Sequence, residues 1–572
     1  MGDCCACYGS LVSSSKWRIG FVVAASGKKS VEVSRPLTSR KAAGKLKLHR
    51  TWTPGRRVSK ERYLSDRSRT TDLQDEGREE DGNQNEEGPS SDGVQLGLEF
   101  PQEEDETDIP AEEEVKTSSK LNCQHFSRCS GCAFENGLNN PPVYNEAVTF
   151  FQKRRIAKLQ LIPSATHGWR CRAKLAVRGT SDDPFVGLFE EHSHSIVDIP
   201  ECRAHHPSIN AAVELIKAVI RDVGVQPYDD ETCTGQLRYI QLVVNSYVTS
   251  VPVEQRKNTC KVQVSLVWNS RDEDSPGTEL LHKMAYSLWR RGGQGSRRDL
   301  LHSIWANFQT TQTNIILGQR WRRLFGHSEL WERVGGADVC YAPSSFGQAN
   351  YQSFEDLLQR LQRYVRKGSA VVDMFAGVGV IGLSLAATRK CRFVKCVEVN
   401  KHCKEPFERS LSRLPASVDC QISWHCADAA EAPITWLEGA DVVVVDPPRK
   451  GLQPVLIEAL RTASLRAQGK TRSPSRNEID KVEKRPWMLR AKDGGVQREG
   501  ETTWRDDDVW PEQLIYVSCG WDSFKQDCEA LEENGHWHLA NAHAYNFFPG
   551  TDSIEILAVF RAGKRMKKKT RA

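Results

Sequence analysis

No run of 18 or more apolar residues occurs in the 572-residue chain, so no segment reads as a membrane-spanning helix. A secretory signal is also missing, and the 18 cysteines lack the regular spacing of a small secreted disulfide domain. That combination points to a reducing compartment, with thiols available for metal or catalysis. No internal repeat is present. Acid is nearly absent from the first 60 residues, where Asp3 and Glu32 alone face 13 Lys and Arg. Base is nearly absent from Asp72 to Glu114, where Arg78 alone faces 18 acids. A net charge of +5 and a mean hydropathy of -0.54 conceal this asymmetry. Residues 1–60 have the basic, acid-poor, Ser-containing composition of an organelle transit peptide. The expected destination is the chloroplast, with the mitochondrion or cytoplasm as alternatives; a disordered basic tail is the plainer reading. Residues 61–118 form an acidic linker expected to be disordered, because it cannot bury a core. The chain closes on a basic tail, 563–572.

What remains is folded sequence. Residues 119–335 read as an α+β domain. Arg172–Arg178, Phe185–Glu190, Leu237–Asn245 and Lys261–Trp268 show strand patterning, and Asn210–Val223 is spaced as a helix. From 336 to 562 strands alternate with helices, which predicts an α/β domain around a parallel sheet. Its strand candidates are Ala370–Met374, Phe393–Glu398, Gln421–His425, Asp441–Asp446, Leu514–Ser518 and Ile554–Phe560. A charged, Gly- and Ser-containing insertion, 466–508, interrupts it and is expected to be a disordered surface loop.

Chemistry concentrates in the second domain. Gly377, Gly379 and Gly382 give G-x-G-x-x-G between a strand and a helix, and Glu398 ends the next strand. Such glycines bring backbone close to a ligand, and such an acid holds ribose hydroxyls. An adenosine-containing cofactor follows, NAD or S-adenosylmethionine alike. Asp446-Pro447-Pro448-Arg449 then follows four valines, at the carboxyl end of a strand where open α/β sheets bind ligands. Two prolines make a rigid loop that dehydrogenases do not need and that can hold a target base against a methyl donor. Cys519 ends the next strand, where a thiolate would act as a nucleophile. Most strand-end cysteines are inert small hydrophobes, so its weight comes from the motifs before it. Glu555, in an otherwise apolar last strand, is expensive unless paired or used as a base; an edge-strand Glu facing water is the alternative.

In this order these signals resemble the uracil-5 methyltransferases of tRNA and rRNA, in particular their plant and algal members. Pro343–Asn350 (PSSFGQAN) looks like that family's S-F-x-Q-x-N segment, and GWRCRAKLAVRG (168–179) and TGQLRYIQLVV (234–244) extend the similarity over roughly 121–562. The resemblance implies a class I, Rossmann-like methyltransferase domain using S-adenosylmethionine, held by Gln348, Phe375, Gly377, Gly379, Glu398, Asp428 and Asp446. It further implies that Cys519 adds to uracil C6, that Glu555 removes the C5 proton, and that Asp446 hydrogen-bonds the uracil edge or steadies the loop. Cys123, Cys129, Cys132 and remote Cys202 match the family branch with a 4Fe–4S cluster. Four-thiolate zinc and unliganded structural cysteines are the alternatives; the C-x3-C-x2-C of radical enzymes is not this spacing.

RNA is the implied partner, tRNA or rRNA, with no membrane and a monomeric enzyme expected. Arg170, Arg172, Lys174, Arg238 and the tail are candidates for its backbone. Three departures from the family stand out: Val380 where Asn or Thr is common, Gly520-Trp521 where Asn-Pro is usual, and no N-terminal β-barrel. Methylation of an exocyclic base amine, without a covalent intermediate, is the competing enzymatic reading. A non-catalytic iron–sulfur RNA-binding protein is the other.

Overall fold

Val442–Val445, four consecutive valines, can bury only as an interior strand of a sheet covered on both faces, and all four are buried. A computed structural model of the chain describes residues 120–191, 193–247, 259–469, 496–497 and 509–564. The leader, the acidic linker, most of the insertion and most of the basic tail lie outside the described residues.

In chain order the elements are α1 (Val143–Lys153), β1 (Gln160–Ile162), β2 (Arg172–Gly179), β3 (Pro184–Phe189), β4 (Ile196–Asp198), α2 (Pro207–Val223), β5 (Leu237–Asn245), β6 (Lys261–Trp268), α3 (Thr278–Gly292), β7 (Leu301–Phe308), β8 (Arg320–Gly326), β9 (Leu330–Val334) and β10 (Ala337–Tyr341). There follow α4 (Tyr351–Tyr364), β11 (Ala370–Met374), α5 (Val380–Arg389), β12 (Phe393–Glu398), α6 (Lys404–Ser412), β13 (Gln421–Cys426), α7 (Pro433–Leu437), β14 (Val442–Val445), α8 (Pro454–Ala467), β15 (Val496–Gln497), β16 (Gln513–Ser518), α9 (Trp521–Glu532), β17 (Trp537–Tyr545) and β18 (Glu555–Ala562).

The first sheet has the order β4-β3-β2-β5-β6-β7-β8, antiparallel except for β6–β7, which the α3 crossover joins in parallel. Helices α2 and α3 cover one face with a core that includes Ile216, Leu266 and Leu288. The second sheet runs β1-β17-β18-β16-β14-β11-β12-β13-β15. Its centre is parallel, as expected, but β18 lies antiparallel between β16 and β17. This is the class I methyltransferase arrangement. One face packs on α1, α8 and α9 through residues such as Phe151, Leu456 and Phe524. The other packs on α4, α5, α6 and the β9–β10 hairpin.

Three differences from the sequence reading have physical causes. Residues 143–162 sit with the second sheet rather than the first: β1 pairs with β17, and Phe150 and Phe151 of α1 enter its core. Helix α8 continues to Ala467, inside the expected insertion, because Leu460, Ala463 and Ser464 keep the buried face going. Val496 and Gln497 pair with β13 at the sheet edge rather than lying in a loop.

Candidate active site

Side chains alternate along a strand, so a strand's end decides which face its last residue joins. Val371, Cys396, Val444, Val517 and Leu557 all face the α4–α5 side. Asp373, Glu398, Asp446, Cys519 and Glu555 continue that alternation onto the same face. Register then does the joining. Val445 pairs with Tyr516, and Ser518 pairs with Ile556, so Cys519 and Glu555 each lie one residue beyond the last pair of the β16–β18 ladder.

The electrostatics agree. Glu555 is buried, and desolvation first, then Asp446, pushes its carboxyl up to about 8, against a lowering by Arg449. Desolvation holds Asp446 at about 7. The Tyr516 hydroxyl, pushed up chiefly by burial, feels both Asp446 and Cys519. Sequence-distant groups are thus electrostatically linked: Asp446 acts on the buried Glu555 carboxyl, and Asp446 and the half-buried Cys519 both act on Tyr516.

That loop is locked from both ends. The Ser523 hydroxyl donates to the Arg449 carbonyl at 2.8 Å. The Leu452 N–H and the Tyr516 hydroxyl both donate to Asp527 Oδ2, at 2.8 and 2.6 Å. A Cβ at Gly520 would lie 2.6 Å from the Arg449 oxygen, so only glycine lets the two loops touch. Trp521 meets Phe150 edge-on at 5.3 Å and stacks on Phe524 at 6.0 Å. The Gly520-Trp521 departure is therefore a built contact between the loops after β14 and β16, anchored by α1.

The cofactor half lies one strand over. Glu398 accepts the Gly377 N–H through Oε2 and the Asn400 N–H through Oε1, each at 2.8 Å, which leaves lone pairs for hydroxyls. Phe375 holds a left-handed φ of 62°, a strained conformation of the kind that clusters at ligand sites. Open space lies where a Gly377 Cβ would point, so a ligand can reach that backbone. Asp428 lies two residues past β13 and accepts the Ala430 N–H at 2.9 Å, while the Ala427 N–H donates to the Glu398 carbonyl. Asp373 lies fully buried, its Oδ2 accepting the Gly382 N–H at 2.9 Å and its Oδ1 left without a partner. Val380 starts α5 and packs against the core, which accounts for its apolar character.

Gly379 has φ 80°, and a Cβ there would lie 2.5 Å from the Phe407 ring. Gly379→Ala is accordingly expected to destabilise the fold by about 1–3 kcal/mol and to weaken cofactor binding, checked by thermal melting and by titration with S-adenosylhomocysteine.

Cys123, Cys129, Cys132 and Cys202 line one cavity of about 620 Å³, together with Arg170, Gln348 and Arg449. Burial chiefly, with a smaller push from the other thiols of the group, raises the Cys129 thiol to about 11 and Cys132 to about 12. Cys202 is raised by burial as well, while Arg170 lowers both Cys132 and Cys202. Cys129, Cys132 and Cys202 thus share a desolvated cavity with the Arg170 guanidinium. Among the described residues, no three His, Cys, Asp or Glu groups lie close enough together to hold a single metal ion. Phe346, Gly347, Gln348 and Ala349 of the S-F-x-Q-x-N segment line this cavity too.

Two basic residues do not serve as the sequence suggested. Arg172 and Arg238 are buried. Arg172 donates to the Tyr351 hydroxyl, and Arg238 to the carbonyls of Gln309 and Thr311. Neither can hold an RNA backbone. Arg170 instead lies over the rings of Trp169 and Phe548 at 4.9 and 5.8 Å. Arg449, named in the sequence only as the end of a motif, emerges as the cation facing Glu555.

An RNA methyltransferase of Protochlamydia amoebophila, itself uncharacterized, is 36% identical over 440 residues, 77% of this chain and 97% of the relative. The chain belongs to the RNA methyltransferase family. A second member, from Geobacter sulfurreducens, is 29% identical over 467 residues, 78% of this chain and 79% of that protein. A solved structure similar to this methyltransferase is that of the Pyrococcus abyssi tRNA (uracil-54, C5)-methyltransferase with S-adenosyl-L-homocysteine. It is 23% identical, has a TM-score of 0.49, and covers 73% of this chain and 83% of that one. No protein-family model matches the chain. Among the described residues of the methyltransferase, no helix is long and apolar enough to cross a membrane.

Proposed function

We propose that this RNA methyltransferase forms 5-methyluridine in tRNA or rRNA from S-adenosylmethionine. One observation carries the reading: Cys519 and Glu555 each lie one residue beyond Ser518–Ile556, the last pair of the β16–β18 ladder, and Asp446 raises the buried Glu555 carboxyl. A thiol beside a buried base is superfluous for methylating an exocyclic amine. It is what C5 chemistry requires, because uracil C5 is a poor nucleophile on its own.

In this mechanism the Cys519 thiolate adds to C6, and the electron pair of the C5–C6 double bond moves to C5. S-adenosylmethionine supplies the electrophilic methyl group. The Glu555 carboxylate takes the C5 proton; the released pair re-forms the double bond and expels Cys519 as thiolate. Asp446 faces this site from a loop that Ser523 and Asp527 keep from moving, where it can bond the uracil edge. Glu398, Asp428, Gln348 and the Gly377–Gly379 backbone would hold the donor. The target uridine must leave its stack to enter the cleft, at a cost of about a few kcal/mol. Arg170 and Lys174 on the cavity wall remain the basic groups suited to RNA. Incubating the purified protein with unmodified RNA and S-adenosylmethionine should yield 5-methyluridine in nucleoside mass spectrometry. Methylated amino nucleosides in its place would favour the competing chemistry.

We further propose that Cys123, Cys129, Cys132 and Cys202 hold a 4Fe–4S cluster, which would tie the 120–135 loop to the loop before α2. Anaerobically purified protein is expected to be brown and to carry about four irons per chain; colourless zinc protein would overturn this.

A further inference from the structure

We propose that Arg172 is a positioning residue that holds Gln348 in place for the methyl donor. The proposal rests on the functional reading above and concerns the Pro343–Asn350 segment that bridges β10 and α4.

This segment has no helix or strand of its own, yet Pro343, Gly347, Ala349 and Asn350 are held from outside it. Gln241 of β5 donates through Nε2 to the Pro343 carbonyl at 2.8 Å. The Cys171 N–H donates to the Ala349 carbonyl at 2.7 Å. Asn350 Nδ2 donates to the Phe547 carbonyl at 3.0 Å, beside the last strand. Between these anchors, Gly347 lies flat against the Arg172 guanidinium: a Cβ there would sit 2.4 Å from both Cζ and Nη2.

Arg172 is in turn fixed. Its Nε and Nη2 donate to the Tyr351 hydroxyl at 3.2 and 3.0 Å, and its Cζ lies 4.8 Å from the centre of the Tyr341 ring. A guanidinium is planar, rigid and able to donate in its own plane while its face packs. No ammonium could fill that slot between a glycine backbone and an aromatic ring. The buried cation therefore acts as a flat wedge, carried by the first sheet, against which the residue before Gln348 rests. The pose of Gln348 is in this way set by the domain that also carries the cysteine cavity.

The test uses the full-length protein and calorimetric titration with S-adenosylhomocysteine, without RNA. Arg172→Gln and Gly347→Ala are each expected to weaken binding about tenfold or more, since small misplacements carry large penalties. Combined, they should weaken it by less than the product of the two, because removing the guanidinium relieves the clash of the new methyl group. Arg178→Gln, on the same strand but paired with Asp230, should stay within about twofold of wild type. Thermal melting separates misplacement from unfolding, and if Arg172→Gln does not fold, Gly347→Ala decides alone. Wild-type affinity in Gly347→Ala, or an equal loss in Arg178→Gln, would overturn the proposal. A wild-type protein that takes no S-adenosylhomocysteine would instead overturn the functional reading.

Discussion

Cys519→Ala protein is expected to lose 5-methyluridine formation by at least about 10³-fold while still binding S-adenosylhomocysteine normally. The reason is positional. Cys519 lies between the last residue of β16 and the first turn of α9, near enough to Tyr516 to act on its hydroxyl together with Asp446, whereas Gly377 follows β11. Removing the thiol leaves the donor site intact but leaves C5 without its activated electron density. Substrate RNA containing 5-fluorouridine reads the step directly. With fluorine in place of the C5 proton, Glu555 has nothing to remove, elimination stops, and wild-type protein stays covalently bound to the RNA in denaturing gels. Cys519→Ala should give no such band. A band that persists in the variant would sink the assignment of the nucleophile.

Glu555→Gln is expected to fail later in the reaction. Addition and methylation need no base at C5, so the variant should accumulate a methylated covalent adduct on ordinary uridine RNA. Turnover should fall by about 10²–10⁴-fold. In the wild type, Glu555 must be ionised to work, and burial with the Asp446 charge holds its carboxyl near 8. Activity should therefore climb with pH up to that region, and Asp446→Asn, by removing a negative neighbour, should move the rise to lower pH in whatever activity remains. Stability runs the other way. The folded state keeps a proton on Glu555 that the unfolded chain releases from the ordinary carboxylate range upward. Stability thus falls as pH rises toward about 8 and levels off above it. Glu555→Gln removes that fall, so the variant should melt higher than wild type at pH 8, with the gap closing at pH 4. A base held ready at the expense of the fold would show this signature, and a merely structural glutamate in a satisfied pair would not.

Much of this was legible locally. The strands Leu237–Asn245, Lys261–Trp268, Ala370–Met374 and Phe393–Glu398 have the predicted bounds, because β-branched runs between polar breaks carry their own signal. β17 gave no such signal. Its ladder with β18 slips between Leu539 and Asn541, and the bulge breaks the alternation that marks a strand. α1 was also hidden, since its adjacent Phe150 and Phe151 pack against α9 rather than marking an isolated amphipathic face. The arginines show the limit most plainly. Arg170 and Arg172 stand two residues apart in one basic stretch, yet one lines a cavity and the other is a buried wedge. Charge is written in the sequence; exposure is decided by what folds over it.

The sequence by itself determined the order of the chemistry: the glycine loop, Glu398, Asp446-Pro447-Pro448, Cys519 and Glu555, each at a strand end. Those positions follow from short-range patterns of apolar runs and turn residues. Only the tertiary structure decided that β18 inserts antiparallel between β16 and β17, which brings Glu555 and Cys519 to the same end of the β16–β18 ladder. The pairing of strands depends on contacts far apart in the chain, and a one-residue slip in that register would have turned Glu555 to the opposite face.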